Sequence, residues 1–89
     1  SNNALNFKVF PNPSVDGNVA ISFESNFSDL DNAQLCIFDV SGRLVYSRLL
    51  SNFNWRYLNL NLSNLSNGMY LVKINSATNF GEQYFTISK

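Results

Sequence analysis

The chain has 89 residues, with six basic and six acidic side chains and no histidine, so it is one domain without net charge. The even charge argues against a surface for nucleic acid or anionic membrane, because both require concentrated Lys and Arg. The missing histidine removes the commonest general base and the commonest metal ligand, and a single cysteine excludes an internal disulfide.

Composition favours β-structure. Fifteen Asn and twelve Ser favour turns over helices, while eight Phe, four Tyr and one Trp supply the large side chains that a small core needs. No helical periodicity appears in the sequence, and no apolar run is long enough to span a membrane. The sequence therefore predicts a small all-β domain without membrane insertion.

The N-terminal third contains two predicted strands. Residues 1–5 are expected to be a disordered linker or a cloning remnant, followed by a sandwich domain over 6–89. The first strand, 6–10, ends at Pro11 and Pro13, because two prolines remove two backbone donors. Asp16 and Gly17 then predict a turn before a strand at 18–24, whose alternating pattern buries one face.

The middle of the chain predicts a tight hairpin. Strand 33–40 is apolar on both faces, which places it inside its sheet and makes Cys36 a small buried hydrophobe. The Asp39 carboxylate is expected to accept a turn amide. Gly42 is expected to take the left-handed position of a type I turn with a G1 bulge, followed by a return strand at 43–50.

The C-terminal third predicts a tyrosine corner. Strands at 55–62 and 69–75 flank a polar segment that ends in Gly68 and Tyr70. In immunoglobulin-like sandwiches, a Tyr early in strand F bonds through its hydroxyl to backbone upstream. With a turn at 76–81 and a last strand at 82–88, the chain is expected to be a seven-stranded immunoglobulin/fibronectin-like Greek-key β-sandwich.

The sequence assembles no catalytic site. Without His, neither Ser-His nor Cys-His nucleophile pairs can form, so no enzyme activity and no cofactor are expected. Asp29, Asp31 and Asn32 offer three oxygen side chains, but a calcium cage needs six to eight oxygens, so no metal site is predicted.

Trp55 and Tyr57 suggest an alternative function. They lie two residues apart on the predicted outward face of one strand, an arrangement with which β-sandwich modules stack on sugar rings. The alternative reading is therefore a fibronectin-like spacer or a carbohydrate-binding module that uses these two aromatic residues. The competing reading is that Trp55 caps the edge of the sandwich and Tyr57 covers a neighbouring strand.

Four features in order carry a resemblance. They are FPNPSVDG at 10–17, CIFDVSGRLV at 36–45, LNLSNLSNGMYLVKI at 60–74 and a last strand that ends at Lys89. Over residues 7–89 the chain resembles the type A C-terminal sorting domain of the type IX (Por) secretion system of Bacteroidetes. The positions that match the family's motifs are Pro11, Asn12, Pro13, Gly17, Asp39, Gly42, Arg43, Gly68, Tyr70 and Lys89.

The resemblance implies a non-catalytic signal that directs a larger cargo protein across the outer membrane. The implied partners are the outer-membrane secretion machinery, a sortase and a cargo domain N-terminal in the same chain. The implied route is through the periplasm to the cell surface or the medium. An exposed edge strand can be recognised by β-augmentation, and the candidate recognition strand comprises Gln83, Tyr84, Phe85, Thr86 and Ile87. The family's Lys just before the last apolar residues is absent, because Glu82, Gln83 and Tyr84 occupy that place.

Overall fold

The computed structural model describes residues 3–24, 32–51, 56–77 and 79–89, and within them the chain forms eight β-strands and no helix. In chain order the strands are β1 (Asn3–Ala4), β2 (Phe7–Phe10), β3 (Asn18–Phe23), β4 (Ala33–Phe38), β5 (Leu44–Leu50), β6 (Tyr57–Asn61), β7 (Gly68–Asn75) and β8 (Asn79–Ile87). Seven of them correspond to the predicted strands, and β1 is an addition of two residues.

The strands form two sheets. One has the order β1-β8-β7-β4-β5 and the other the order β2-β3-β6. All neighbours are antiparallel except β1, which runs parallel to β8. The chain moves from the three-stranded sheet to the larger one after β3, returns for β6 and crosses again for β7. This exchange between sheets confirms the predicted Greek-key β-sandwich.

The core lies between the two sheets and follows the alternation of the sequence. Ile21 on β3, Leu35 on β4 and Val72 on β7 are each 0% exposed, and their neighbours along each strand face outward. Leu58, Leu60 and Leu62 of the β6 region are also buried. Burial of one face per strand fixes the register, because a slip by one residue would expose the whole apolar set.

The structure differs from expectation at three places. Asn3–Ala4 pairs with Asn79–Phe80 and Leu5 is buried, so the described residues 3–5 belong to the sandwich rather than to a linker. The last strand begins at Asn79, because the Ser76 hydroxyl accepts the Asn79 amide and closes a tighter turn than 76–81. Cys36 is half-buried on the outer face of β4, since Leu35 and Ile37 take the inward positions.

Candidate recognition surface

All the predicted motifs meet at one end of the sandwich. Strands β2, β4, β6 and β8 run toward this end and β3, β5 and β7 run away from it, as the antiparallel registers require. The end is therefore formed by the β2–β3 loop (11–17), the β4–β5 hairpin turn (39–43), the β6–β7 corner (62–67) and the last two residues, 88–89. We call these four segments the motif end.

Within the motif end, the β2–β3 loop is hydrogen-bonded to the last strand. The Asn12 side-chain oxygen accepts the Thr86 amide at 2.9 Å, and the Ser14 amide donates to the Thr86 carbonyl at 2.8 Å. The Ser88 amide then donates to the Ser14 carbonyl at 2.8 Å. The peptide bonds before Pro11 and Pro13 are both cis. These contacts tie the first motif to the end of β8 across more than 70 residues of sequence.

Ser14 organises this loop internally, and sequence reasoning missed it. Its side chain is fully buried; the hydroxyl accepts the Gly17 amide and donates to the Asn18 carbonyl, both at 2.9 Å. Ser and Thr hydroxyls commonly bond to backbone in turns, so a Ser three residues before Gly17 was the available signal. Asp16 accepts the Asn18 amide, and this bond lowers the pKa of its carboxyl.

Gly17 brings the loop against the β6–β7 corner. Its φ is +87°, and a Cβ placed there would lie 2.7 Å from the Ser63 Cα and 2.8 Å from the Leu62 carbonyl oxygen. The Gly17 carbonyl accepts the Leu62 amide at 2.9 Å. Gly17 is therefore required both by its backbone conformation and by the close approach of two chain segments.

The β4–β5 turn is built around the Asp39 carboxylate. Its Oδ1 accepts the Ser41 hydroxyl at 2.6 Å and the amides of Ser41 and Arg43 at 3.0 Å each. These bonds, with the Arg43 guanidinium 3.3 Å from Oδ2, lower the pKa of Asp39. Gly42 has φ +86°, and its amide donates to the Asp39 carbonyl, as expected for a type I turn with a G1 bulge.

The β6–β7 segment is a tyrosine corner. The Tyr70 hydroxyl donates to the Ser66 carbonyl at 2.6 Å, four residues upstream. The Tyr70 ring is 5% exposed and stacks on Phe85 of β8, with ring centroids 5.6 Å apart and planes at 28°. Gly68 starts β7 with φ +157°, a backbone conformation that residues with a side chain rarely adopt. The predicted corner is confirmed, and it joins β7 to the last strand.

Lys89 completes the motif end. Its Nζ donates to the Ser63 carbonyl at 2.7 Å and to the Leu65 carbonyl at 2.6 Å, while its amide donates to the Asn67 side chain at 2.9 Å. The Lys89 ammonium group is thus hydrogen-bonded to two backbone carbonyls of the β6–β7 corner. The resemblance included Lys89, but these partners could not be predicted from sequence, because they lie 22 to 26 residues away.

The candidate recognition strand is buried toward its end and exposed before it. Phe85 and Ile87 are each 1% exposed and belong to the core, whereas Gln83 is exposed and Tyr84, on the outer face, is 62% exposed. Thr86 is half-buried and its backbone is already bonded to Asn12 and Ser14. Only the part of this strand near Gln83 and Tyr84 presents side chains to a partner.

The alternative glycan platform is only partly described. Trp55 lies outside the described residues, as do the calcium candidates Asp29 and Asp31. Tyr57 is 56% exposed on the outer face of β6, and its ring lies 6.4 Å from Phe10 in an edge-to-face arrangement. A platform of Trp55 and Tyr57 therefore stays a prediction.

Two further properties bear on the kind of site. Within the described ranges, no three His, Cys, Asp or Glu residues are grouped so as to hold a metal ion. In the same part of the chain, no helix is long and apolar enough to cross a membrane.

Comparison with known proteins gives one family and a shared fold. The family model of the secretion system C-terminal sorting domain matches residues 8–88. The structure is similar to that of CopC from Methylosinus trichosporium OB3b, with a TM-score of 0.61, 18% identity and coverage of 93% of this chain and 94% of that one. SoxY, the sulfur carrier protein from Chlorobium limicola f thiosulfatophilum, matches with a TM-score of 0.47, 13% identity and coverage of 99% and 84%. A comparison with curated proteins returned no match.

The protein is a β-sandwich whose motif residues lie together in the loops at one end. The similarity to CopC is a similarity of fold alone. Because the family model covers nearly the whole sequence, the chain belongs to the type IX secretion C-terminal sorting domain family. Membership indicates a sorting signal for export across the outer membrane to the cell surface or extracellular space. It also implies secretion machinery as partner and a cargo in the same chain. The family is not known to be catalytic.

Proposed function

We propose that the chain is a non-catalytic export address that directs a larger cargo protein, placed N-terminal to it, through the type IX secretion system. The observation that supports this most directly is the convergence of the family's motif residues at one end. Residues distant in sequence, such as Asn12, Asp39 and Lys89, all lie in the loops of this end.

The geometry suits a signal carried by a fused cargo. Asn3 lies at the opposite end of the sandwich, because β1 pairs with the beginning of β8. A cargo joined before residue 3 therefore leaves the motif end free for the machinery. On this proposal the precursor passes through the periplasm, the motif end and the last strand (Gln83, Tyr84, Phe85, Thr86, Ile87) are recognised, and a sortase removes the domain.

The motif end also presents apolar side chains that contribute nothing to the core. Val15, in the β2–β3 loop, is 70% exposed, and Val40, in the β4–β5 turn, is 82% exposed. We propose these two valines as candidate contact residues of the motif end. Unlike Gly17 and Tyr70, which the fold requires, both are exposed and can be changed without disturbing the core.

The test is export of a reporter fused ahead of residue 1. We expect the fusion to reach the surface or the medium in a Bacteroidetes host with a type IX system, and to accumulate in the periplasm of the same host lacking an outer-membrane component of that system. An unrelated β-sandwich of similar size, fused in the same way, is the control and should stay in the periplasm of both hosts. Equal export of the fusion from both hosts would overturn the proposal.

A further inference from the structure

The outer face of the three-stranded sheet forms a shallow trough. Burial alternates strictly along β2, β3 and β6, so every second residue of each strand faces outward. On the central strand, β3, the outward residues Ala20 and Ser22 are small and half-buried. The longer side chains of β2 and β6 rise on either side of them, and we call the space between these side chains the β3 trough.

Two aromatic side chains meet across the β3 trough. Phe10 of β2 lies opposite Ala20, and Tyr57 of β6 lies opposite Ser22. The two rings belong to the outer strands of the sheet, yet their centroids are 6.4 Å apart and their planes are at 84°. Phe10 is 42% exposed and Tyr57 is 56% exposed. An edge-to-face pair covers only one face of one ring, so the pair still offers aromatic surface to a ligand.

Beside the aromatic pair the β3 trough opens into a shallow depression. It is lined by side chains from all three strands and from the loop after β2: Phe10, Pro11, Asn18, Ala20, Asn59 and Asn61. None of the residues that line it has an ionisable side chain. The nearby charges are one of each sign, because Lys8 lies in the next row, opposite Ser22, and the Asp16 carboxylate is bonded to Asn18.

The carboxamides on β6 have hydrogen-bonding groups to spare. The Asn61 side-chain oxygen accepts the Ser63 amide at 3.1 Å, which leaves its Nδ2 to donate. In the part of the chain that the structure describes, the Asn59 side chain has no hydrogen-bond partner. A carboxamide donates through its nitrogen and accepts through its oxygen, so Asn59 can bind a hydroxyl group in either sense.

We propose that this depression binds a neutral hexose unit of a polysaccharide. A pyranose ring has a face of C–H groups, which packs on an aromatic side chain, and hydroxyl groups around its edge that both donate and accept hydrogen bonds. Phe10 and Tyr57 supply the aromatic surface, and Asn59 and Asn61 supply the carboxamides, the combination of apolar lining and a few polar groups that small-molecule sites use. Trp55 is not required for this site, and the proposal goes beyond the sorting function.

The lining selects this occupant over two others. A stable protein interface buries about 800 Å² per partner around a core of apolar anchors. The outward positions of β2, β3 and β6, all of which the structure describes, carry only Phe10 and Tyr57 as large apolar side chains. An acidic sugar would need a cation in the lining, and the depression has none. Because the depression is open rather than enclosed, it suits one unit of a sugar chain.

Isothermal titration calorimetry of the 89-residue chain tests the site. The probes are neutral oligosaccharides from β-glucan, dextran and galactomannan, with an acidic oligogalacturonate for comparison. We expect at least one neutral oligosaccharide to bind and the oligogalacturonate not to bind.

Two matched pairs of alanine variants locate the binding. Tyr57→Ala removes an aromatic side chain from the β3 trough, whereas Tyr84→Ala removes one of similar exposure, 62%, from the outer face of the larger sheet. Asn59→Ala and Asn75→Ala remove exposed carboxamides from the same two faces. We expect Tyr57→Ala to weaken binding about tenfold and Asn59→Ala about fivefold, with both controls unchanged.

Absence of binding to every neutral oligosaccharide, or binding of the oligogalacturonate alone, would overturn the proposal. Equal weakening by the trough variants and their controls would overturn it as well. If Tyr57→Ala melts well below the unmodified chain, Asn59→Ala decides instead, and its unchanged binding would overturn the proposal. The sorting function is tested separately by export of the reporter fusion, so either claim can fail without the other.

Discussion

Tyr70 links the start of β7 to the last strand through two kinds of contact. Its ring stacks on Phe85, and its hydroxyl donates to the Ser66 carbonyl. Since the ring is 5% exposed, loss of the hydroxyl would leave a carbonyl of the corner without this donor. The hydroxyl of Tyr70 should therefore contribute more to the free energy of unfolding than the hydroxyl of an exposed tyrosine.

Tyr70→Phe should lower the free energy of unfolding by about 1 to 2 kcal/mol, the cost of losing a partly buried hydrogen bond. Tyr84→Phe is the matched control, since Tyr84 is 62% exposed, and it should change stability by a few tenths at most. Urea unfolding of both variants measures the difference. Equal stability of the two variants would contradict the role assigned to the corner.

Asp39 gives the β4–β5 turn a pH dependence. The Ser41 hydroxyl and the amides of Arg43 and Ser41 lower the pKa of its carboxyl below 3.8, so the ionised form is favoured more in the folded chain than in the unfolded one. The resulting stabilisation is fully present above the unfolded pKa and is lost as the pH falls through the folded pKa.

Asp39→Asn should therefore melt below the unmodified domain at pH 6, and this gap should narrow as the pH falls below 3.8. Melting curves of the two proteins between pH 6 and acid conditions measure the gap. Asp16 is unchanged in both proteins, so its own lowered pKa contributes equally. A gap that stays constant over the whole range would contradict the account.

At the scale of elements, contacts between loops hold the motif end together. The β2–β3 loop touches the corner through Gly17 and touches β8 through Asn12 and Ser14. Lys89 also donates hydrogen bonds to backbone carbonyls of the corner. Three segments that lie far apart in sequence thus stabilise one another.

Two glycine substitutions separate this packing from backbone preference. Gly17 and Gly42 have nearly equal φ angles, +87° and +86°, but a Cβ would meet the backbone of Leu62 and Ser63 at Gly17 and nothing within 4 Å at Gly42. Gly42→Ala should cost about 1 to 2 kcal/mol, the price of left-handed backbone alone. Gly17→Ala should cost about 1 to 3 kcal/mol more, as expected for overpacking.

Thermal or urea unfolding of the two alanine variants gives the comparison directly. If Gly17→Ala were no more destabilising than Gly42→Ala, the close approach of the β2–β3 loop to the corner would not contribute to stability as described.

The elements that local rules specify were predicted from sequence. Asp39 and Gly42 define a hairpin turn within four residues, and Gly68 with Tyr70 defines a corner over a similarly short span, so their chemistry is visible in sequence order. The hydrogen bonds made by Asn12, Ser14 and Lys89 could not be predicted from sequence, because each depends on a partner that only the tertiary fold brings near. The coverage of β8 by residues 3–5 was missed for the same reason, since two residues carry no strand pattern.

At the scale of the whole molecule, the two ends of the sandwich have different roles in the proposed function: one carries the cargo and the other is recognised. In the proposed function a cargo is joined before Asn3, at one end, and the motif end lies at the other, around the end of β8. The core and the corner fix this arrangement, and the exposed side chains at its tips are free for contact. We propose that the secretion machinery recognises the motif end.

The most direct test is export of a reporter fusion that carries Val15→Lys and Val40→Lys. Both side chains are highly exposed, 70% and 82%, so the fold should be unaffected. The matched control carries Asn6→Lys and Ala77→Lys, two exposed positions at the opposite end of the sandwich. We expect the motif-end variant to stay in the periplasm and the control to be exported normally. Normal export of the motif-end variant, or equal loss in both, would contradict it.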